Sequence, residues 1–285
     1  MESAAQNRPS FDTIAIVGVG LLGGSIAAAV KAKGLVRRVV GVGRNSQRLD
    51  AAQSAGLIDA ASTEIGNCKA ELIVVCTPVD LIADGVRSAA ATADAGTLIT
   101  DVGSIKGNIC RALDGALPDG VTFIGSHPLA GSEKQGHRHA DAELFVRSVC
   151  VITPDASAAV VQVNKLTSFW ETLGATVVRL SAEEHDQILA ETSHVPHVVA
   201  AALASSLQNE NSQFVASGFR DATRIAAGDP NLWSAILLNN VDAVLDSLDS
   251  FRDQLASLRH AIENRDTQTL QNLLRNAKRN RDELS

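Results

Sequence analysis

Residues 13–34, TIAIVGVGLLGGSIAAAVKAKG, constrain this chain more than any other stretch. An apolar run rich in Ile and Val leads into Gly18, Gly20 and Gly23 in G-x-G-x-x-G register, and an Ala-rich helical pattern follows. A lone glycine triplet is a weak signal. Between a predicted strand and a predicted helix it reads as a phosphate-binding turn. Gly18 permits the tight turn, Gly20 lets the backbone approach a pyrophosphate, and Gly23 lets the helix pack on the strand. The free N–H groups at Leu21 and Leu22, with the helix dipole behind them, favour an anion. The expected ligand is a dinucleotide, NAD or NADP.

The rest of the first half agrees with that start. Further apolar runs, RVVGVG, ELIVVCT, TLITDVG, VTFIGS, SVCVITP and TVVRL, alternate with helical stretches up to about residue 180. Apolar residues on consecutive positions mark strands buried on both faces of a parallel sheet. After residue 180 strand signals stop. Ser181 and Glu184 make a capping box at the start of a helix, and Pro196 should kink or loosen it. A seam of Val241, Val244, Leu248, Phe251, Leu255, Leu258 and Ile262 follows at alternating spacings of three and four. Such a seam serves a helix packed on its own domain or a helix-rich dimer core. The fold class is therefore α/β: a disordered lead (1–10), a Rossmann-type doubly wound sheet (11–180), and an all-α C-terminal domain (181–285). The expectation taken forward is a homodimer through that last domain, with the Ala-rich stretch 198–204 sharing the interface.

Composition excludes some partners. A net charge of −7 argues against nucleic acid and anionic membranes, and no apolar run is long enough to span a bilayer. Cys68, Cys76, Cys110 and Cys150 form no CxxC pair and read as small buried side chains in a reducing, cytoplasmic setting. No metal site is expected.

About 20 residues past the third glycine, such sites place an acid on the ribose 2′-hydroxyl. Here Gly43 stands there, followed by Arg44 and Asn45. A neutral position followed by a cation should at least tolerate NADP. Three further strand ends carry chemistry: CTPVD with Thr77 and Pro78 beside the nicotinamide, DVGSIKG with Asp101, Ser104 and Lys106, and GSHPLAGSE with His127. The last reads as a loop. A histidine there suits general-base work near neutrality.

Together GVGLLGGS, DVGSIKG and SHPLAGSEKQG resemble the prephenate/arogenate dehydrogenase family. TSHVPHVVAAAL and GFRDATRIAAGDPNLW resemble its C-terminal segments, so the likeness runs from about Thr13 to Leu258. The resemblance implies oxidative decarboxylation of prephenate, arogenate, or both. It makes His127 the base, with Ser104 orienting either the histidine or the substrate hydroxyl. It makes Arg224 the carboxylate clamp, with His197, Ser132, Glu133, Arg220 and Trp233 around the substrate. His194 is either a core or an interface residue, and His185, His137 and His139 read as solvent-facing. Gly43 departs from members with Asp at that position, which bears on the cofactor and not on the reaction. Two rivals remain. Another two-domain hydroxyacid or imine enzyme would use a lysine or an acid in the helical domain, yet residues 181–275 hold no Lys. A non-catalytic cofactor-binding regulator would have no reason to keep His127, Ser104 and Arg224 together.

Overall fold

The computed structural model describes residues 10–284 apart from Cys68, Ser132, Glu133 and Gln135, so the expected lead lies outside it except for Ser10. Strands β1 (Phe11–Val17), β2 (Val36–Val42), β3 (Ala60–Ser62), β4 (Leu72–Val75), β5 (Leu98–Asp101) and β6 (Thr122–Phe123) form one sheet in the order β3-β2-β1-β4-β5-β6. Every pairing in it is parallel. Helices α1 (Leu21–Ala32), α2 (Ser46–Ser54), α3 (Ile82–Ala90) and α4 (Gly107–Leu113) lie between its strands in sequence, and α5 (Val160–Leu173) covers one face. This is the doubly wound dinucleotide-binding order, whose ligand crevice opens where β1 and β4 send the chain in opposite directions.

The strand composition follows from this layering. In β1, Ile14 and Ile16 join the core formed with α1 and α5, while Ala15 and Val17 join the core formed with α3 on the opposite face. Both faces are dry, so apolar residues run without alternation.

Two expectations about strands need correction. VTFIGS is not one strand: the chain changes sheets at Ile124, and β7 (Gly125–Pro128) begins a second sheet with β8 (Val149–Thr153) and β9 (Thr176–Arg179). There β7 runs antiparallel to β8, with His127 opposite Val151, and β8 runs parallel to β9. Burial sets the apolar pattern of β8, whichever strands it pairs with. Nor is GSHP a loop, since all four residues are buried in β7. Pro128 is tolerated because β7 is the edge of its sheet and the ladder bond is made by the next residue, Leu129 N–H to the Val149 carbonyl.

Past β9 the described chain is helical. Helix α6 (Ala182–Leu189) opens on the expected capping box of Ser181 and Glu184. A π-helical turn at Ala190–His194 leads into α7 (Val195–Ser205), whose second residue is Pro196. The wide turn absorbs the proline's missing donor and its ring, and this is the loosening expected there. Helices α8 (Ser217–Thr223), α9 (Pro230–Asn239), α10 (Val241–Glu263) and α11 (Thr267–Asp282) follow. Ile236 of α9 is buried against the α3-side core, with Trp233 beside it, so the helical part is seated on the sheet. The α10 seam is divided. Val244 is buried and Leu248 and Leu258 are half-buried, while Val241, Phe251, Leu255 and Ile262 remain on the surface. Among the described residues no helix is long and apolar enough to cross a membrane.

Candidate active site

The glycine turn has the shape its spacing demands. Gly18 sits at φ +95°, and a Cβ there would lie 2.7 Å from the Cys76 carbonyl oxygen. A Cβ on Gly23 would lie 2.2 Å from the Gly18 carbonyl oxygen, so α1 can approach β1 only with glycine at that position. A Cβ on Gly20 would meet nothing within 4 Å, because that backbone faces open space. Gly20 caps α1 without a side-chain hydrogen bond, and no acid stands in the first turn, so the leading N–H groups are left to an anion. At the end of β4, next to β1, the buried Thr77 hydroxyl has no partner among the described residues. An open glycine cradle, free helix N–H groups and an orphaned hydroxyl at the switch point all suit a dinucleotide. Pro78 directs the chain from Thr77 into the turn Val79–Leu81. Arg44 is exposed just past β2, and Asn45 uses its carbonyl oxygen to cap α2, accepting from Arg48 N–H at 3.0 Å.

Beside this crevice lies a file of buried polar groups. His127 Nδ1 is 2.8 Å from His185 Nε2, and His185 Nδ1 is 2.8 Å from Asp186 Oδ1. Asp186 in turn accepts the backbone N–H groups of Lys106 at 2.7 Å and Gly107 at 2.8 Å, at the start of α4. Burial alone would raise the Asp186 carboxyl, but hydrogen bonds from His185, Lys106 and Gly107 leave it below its ordinary value. Burial, and then the neighbouring His185, Lys106 and His194, push the His127 imidazole well below its usual range. An imidazole held in this way stays unprotonated at neutral pH.

Asp101, expected from its strand-end position to bind the cofactor, has a different place. Its side chain is fully buried, pairs with the equally buried Lys106 Nζ, and accepts from Gly103 N–H at 2.8 Å and Ser126 N–H at 3.0 Å. Fully buried and paired within the protein, it ties the end of β5 to β7. Ser104 is half-buried in the β5–α4 loop, and among the described residues it makes no hydrogen bond to His127. The ring's hydrogen-bond partner is His185 instead.

The helical side supplies further groups. His197 lies flat on Trp233, with ring centroids 3.6 Å apart and planes 11° from parallel, and its buried Nδ1 has no partner among the described residues. Gly228 permits this stack, since a Cβ there would fall 2.3 Å from Trp233 Nε1. The turn Arg224–Ala227 packs on α7, the helix that carries His197, and Arg224 and Arg220 are exposed. His194 is a core residue: it is buried, sits 3.2 Å from Asn240 Nδ2, and meets Trp233 edge-on. Because Asn240 Nδ2 also donates to the Asp186 carbonyl at 2.8 Å, contacts run without a break from His127 to Trp233. Ser132 and Glu133 lie outside the described residues.

The sequence model of the prephenate dehydrogenase nucleotide-binding domain matches residues 26–179, and that of the prephenate dehydrogenase dimerization domain matches residues 181–276. The chain belongs to the prephenate dehydrogenase family. It is 35% identical over 282 residues to the prephenate dehydrogenase of Bacillus subtilis, covering 96% of this chain and 76% of that one. It is also 35% identical over 265 residues to the cyclohexadienyl dehydrogenase of Zymomonas mobilis, covering 90% of each. The crystal structure of prephenate dehydrogenase from A. aeolicus in complex with hydroxyphenyl propionate and NAD+ superposes with a TM-score of 0.90 at 29% identity, covering 96% of this chain and 98% of that one.

Within this family fold, His185 and Asp186 are the site residues that no motif in the sequence marks. His185, expected to face solvent, is fully buried. A signal was present. Ala182, His185, Asp186 and Leu189 are the buried residues of α6, at positions i, i+3, i+4 and i+7. Two polar residues on the apolar stripe of a helix mark a buried polar contact.

Proposed function

We propose that this chain is a prephenate dehydrogenase, converting prephenate and oxidised NAD(P) into 4-hydroxyphenylpyruvate, CO2 and reduced NAD(P), with His127 as the general base. The observation that carries this is the His127 ring. It is held by His185 at the edge of the dinucleotide crevice, in a chain of this family. A nicotinamide bound in that crevice supplies the acceptor for the hydride that leaves C4 of the substrate. His127 Nε2 takes the C4 hydroxyl proton, so that C4 becomes a carbonyl. The electrons of the ring–carboxylate bond then run through the ring to that oxygen, CO2 departs, and the phenolate takes its proton back from His127. Ser104 hydrogen-bonds the hydroxyl oxygen.

Arg224 holds a substrate carboxylate, since a guanidinium matches it with two parallel hydrogen bonds. Arg220, His197 and Trp233 complete that end, with Ser132 and Glu133 closing it. Gly18, Gly20, Leu21, Leu22, Gly23, Thr77 and Pro78 hold the cofactor. Gly43 and Arg44 make NADP acceptable alongside NAD. The enzyme works as a homodimer through its helical domain, in the cytoplasm, where free thiols such as Cys76, Cys110 and Cys150 persist. The likeness to a cyclohexadienyl dehydrogenase favours one specific second reading, in which arogenate is accepted as well. Formation of NADH or NADPH with each substrate in turn, followed at the nicotinamide absorbance, tests all of this. Turnover of neither prephenate nor arogenate would refute it.

A further inference from the structure

We propose that His185 and Asp186 are positioning residues for His127: they hold its ring in the tautomer protonated on Nδ1, and they share the positive charge that arrives with the substrate's proton. The proposal rests on His127 being the base, and it concerns how that base is prepared.

The tautomer follows from the fixed end of the file. Asp186 accepts two backbone N–H groups, from Lys106 and Gly107, and these can only donate. Asp186 is thereby kept as an acceptor, so His185 Nδ1, 2.8 Å away, must donate to it. A neutral imidazole carries one N–H. His185 Nε2 is then a lone pair, and His127 Nδ1, 2.8 Å away, must donate in its turn. That leaves His127 Nε2 as a lone pair for the substrate. With both rings neutral, each assignment forces the next, and the first is made by main-chain groups that cannot be reversed.

The same file can carry charge. When Nε2 accepts the hydroxyl proton, the Nδ1 proton can pass to His185 Nε2. One proton enters, none leaves, and the positive charge moves to a ring hydrogen-bonded to Asp186. The reverse path returns the proton to the phenolate oxygen. Other groups facing the pair do not compete. Lys106, from the β5–α4 loop, is balanced by Asp101 in a fully buried ion pair. His194, from the π-helical turn, is pushed down to about 4 by burial and is neutral. Cys150 of β8 is pushed up by burial and stays a thiol. Asp186 is left as the anion adjacent to His185. Asn240, donating to the Asp186 carbonyl at 2.8 Å, fixes the file against the start of α10.

The test combines nitrogen NMR of the 15N-histidine-labelled protein with kinetics, His127→Asn serving to assign the His127 signals. The wild type should have a protonated Nδ1 and a bare Nε2 on His127 near neutral pH. His185→Phe should bind cofactor normally, keep KM, mix the His127 tautomers and lose kcat by about 10²-fold or more. His185→Gln can accept from Nδ1 through Oε1 but cannot take a proton, so it should restore the tautomer and only part of kcat. A wild-type His127 protonated on Nε2, or a folded Phe variant with near wild-type kcat, would overturn the proposal. The wild-type spectrum decides even where the Phe variant folds poorly. Should His127→Asn keep its activity, the base assignment fails; should it be inactive while His185→Phe is normal, only the positioning role fails.

Discussion

Gly43 stands where β2 ends, and a Cβ built on it would lie 3.6 Å from Leu49 Cδ2, an ordinary contact. A side chain can therefore start from this position without its Cβ disturbing α2. An aspartate would gain the ribose hydrogen bonds and repel a 2′-phosphate, so Gly43→Asp should shift the kcat/KM ratio toward NAD. A wild type that already prefers NAD strongly would mean that Arg44 serves only as a surface cation. Arg224 is tested through binding. A cation that holds a carboxylate in the ground and transition states alike contributes to KM. Arg224→Ala should raise KM about tenfold or more, the size of a hydrogen bond to a charged group, with a smaller change in kcat. An unchanged KM would place the carboxylate elsewhere. His127 was legible because its motif is local. His185 was not, because its partner lies 58 residues away in sequence and a polar residue on a helix ordinarily faces water.

The turn between α8 and α9 joins geometry to binding. Gly228→Ala would drive a methyl group into Trp233, whose Nε1 lies 2.3 Å from the Cβ position. The ring would leave His197, and KM should rise while cofactor affinity, which depends on the distant glycine turn, stays constant. Titration of the cofactor by nicotinamide fluorescence, alongside initial rates, separates the two; equal losses in both would point to a wider collapse. At this scale the parallel strands and the capped α6 could be read from periodicity and end signals. The break at Ile124 could not, because Ile124 is itself fully buried and leaves no polar mark where the chain changes sheets. The three-residue strand β3 is too short, and too rich in alanine, to stand out from a loop.

Across the whole molecule, apolar surface gathers on the helical part: Leu238 is 73% exposed, Ile262 62%, and Leu245 and Leu255 55% each. Faces of this kind bury against a copy related by a two-fold axis. Light scattering should give twice the chain mass of 29.8 kDa, and Leu255→Glu with Ile262→Glu should shift it toward the monomer. A monomeric wild type at micromolar concentration would refute the dimer. Sheet, glycine turn and helical groups all converge on His127, so the most direct measurement is the pH profile of prephenate-dependent NAD(P)H formation, taken for the wild type and for His127→Asn. Burial lowers the His127 pKa, so the neutral base persists on acidification, and the wild-type rate should fall only at a pH below the ordinary imidazole value of about 6.5. The variant should bind cofactor yet turn over about 10²–10⁴-fold more slowly, with that acid limb gone. A variant that keeps the wild-type rate and profile would contradict the account.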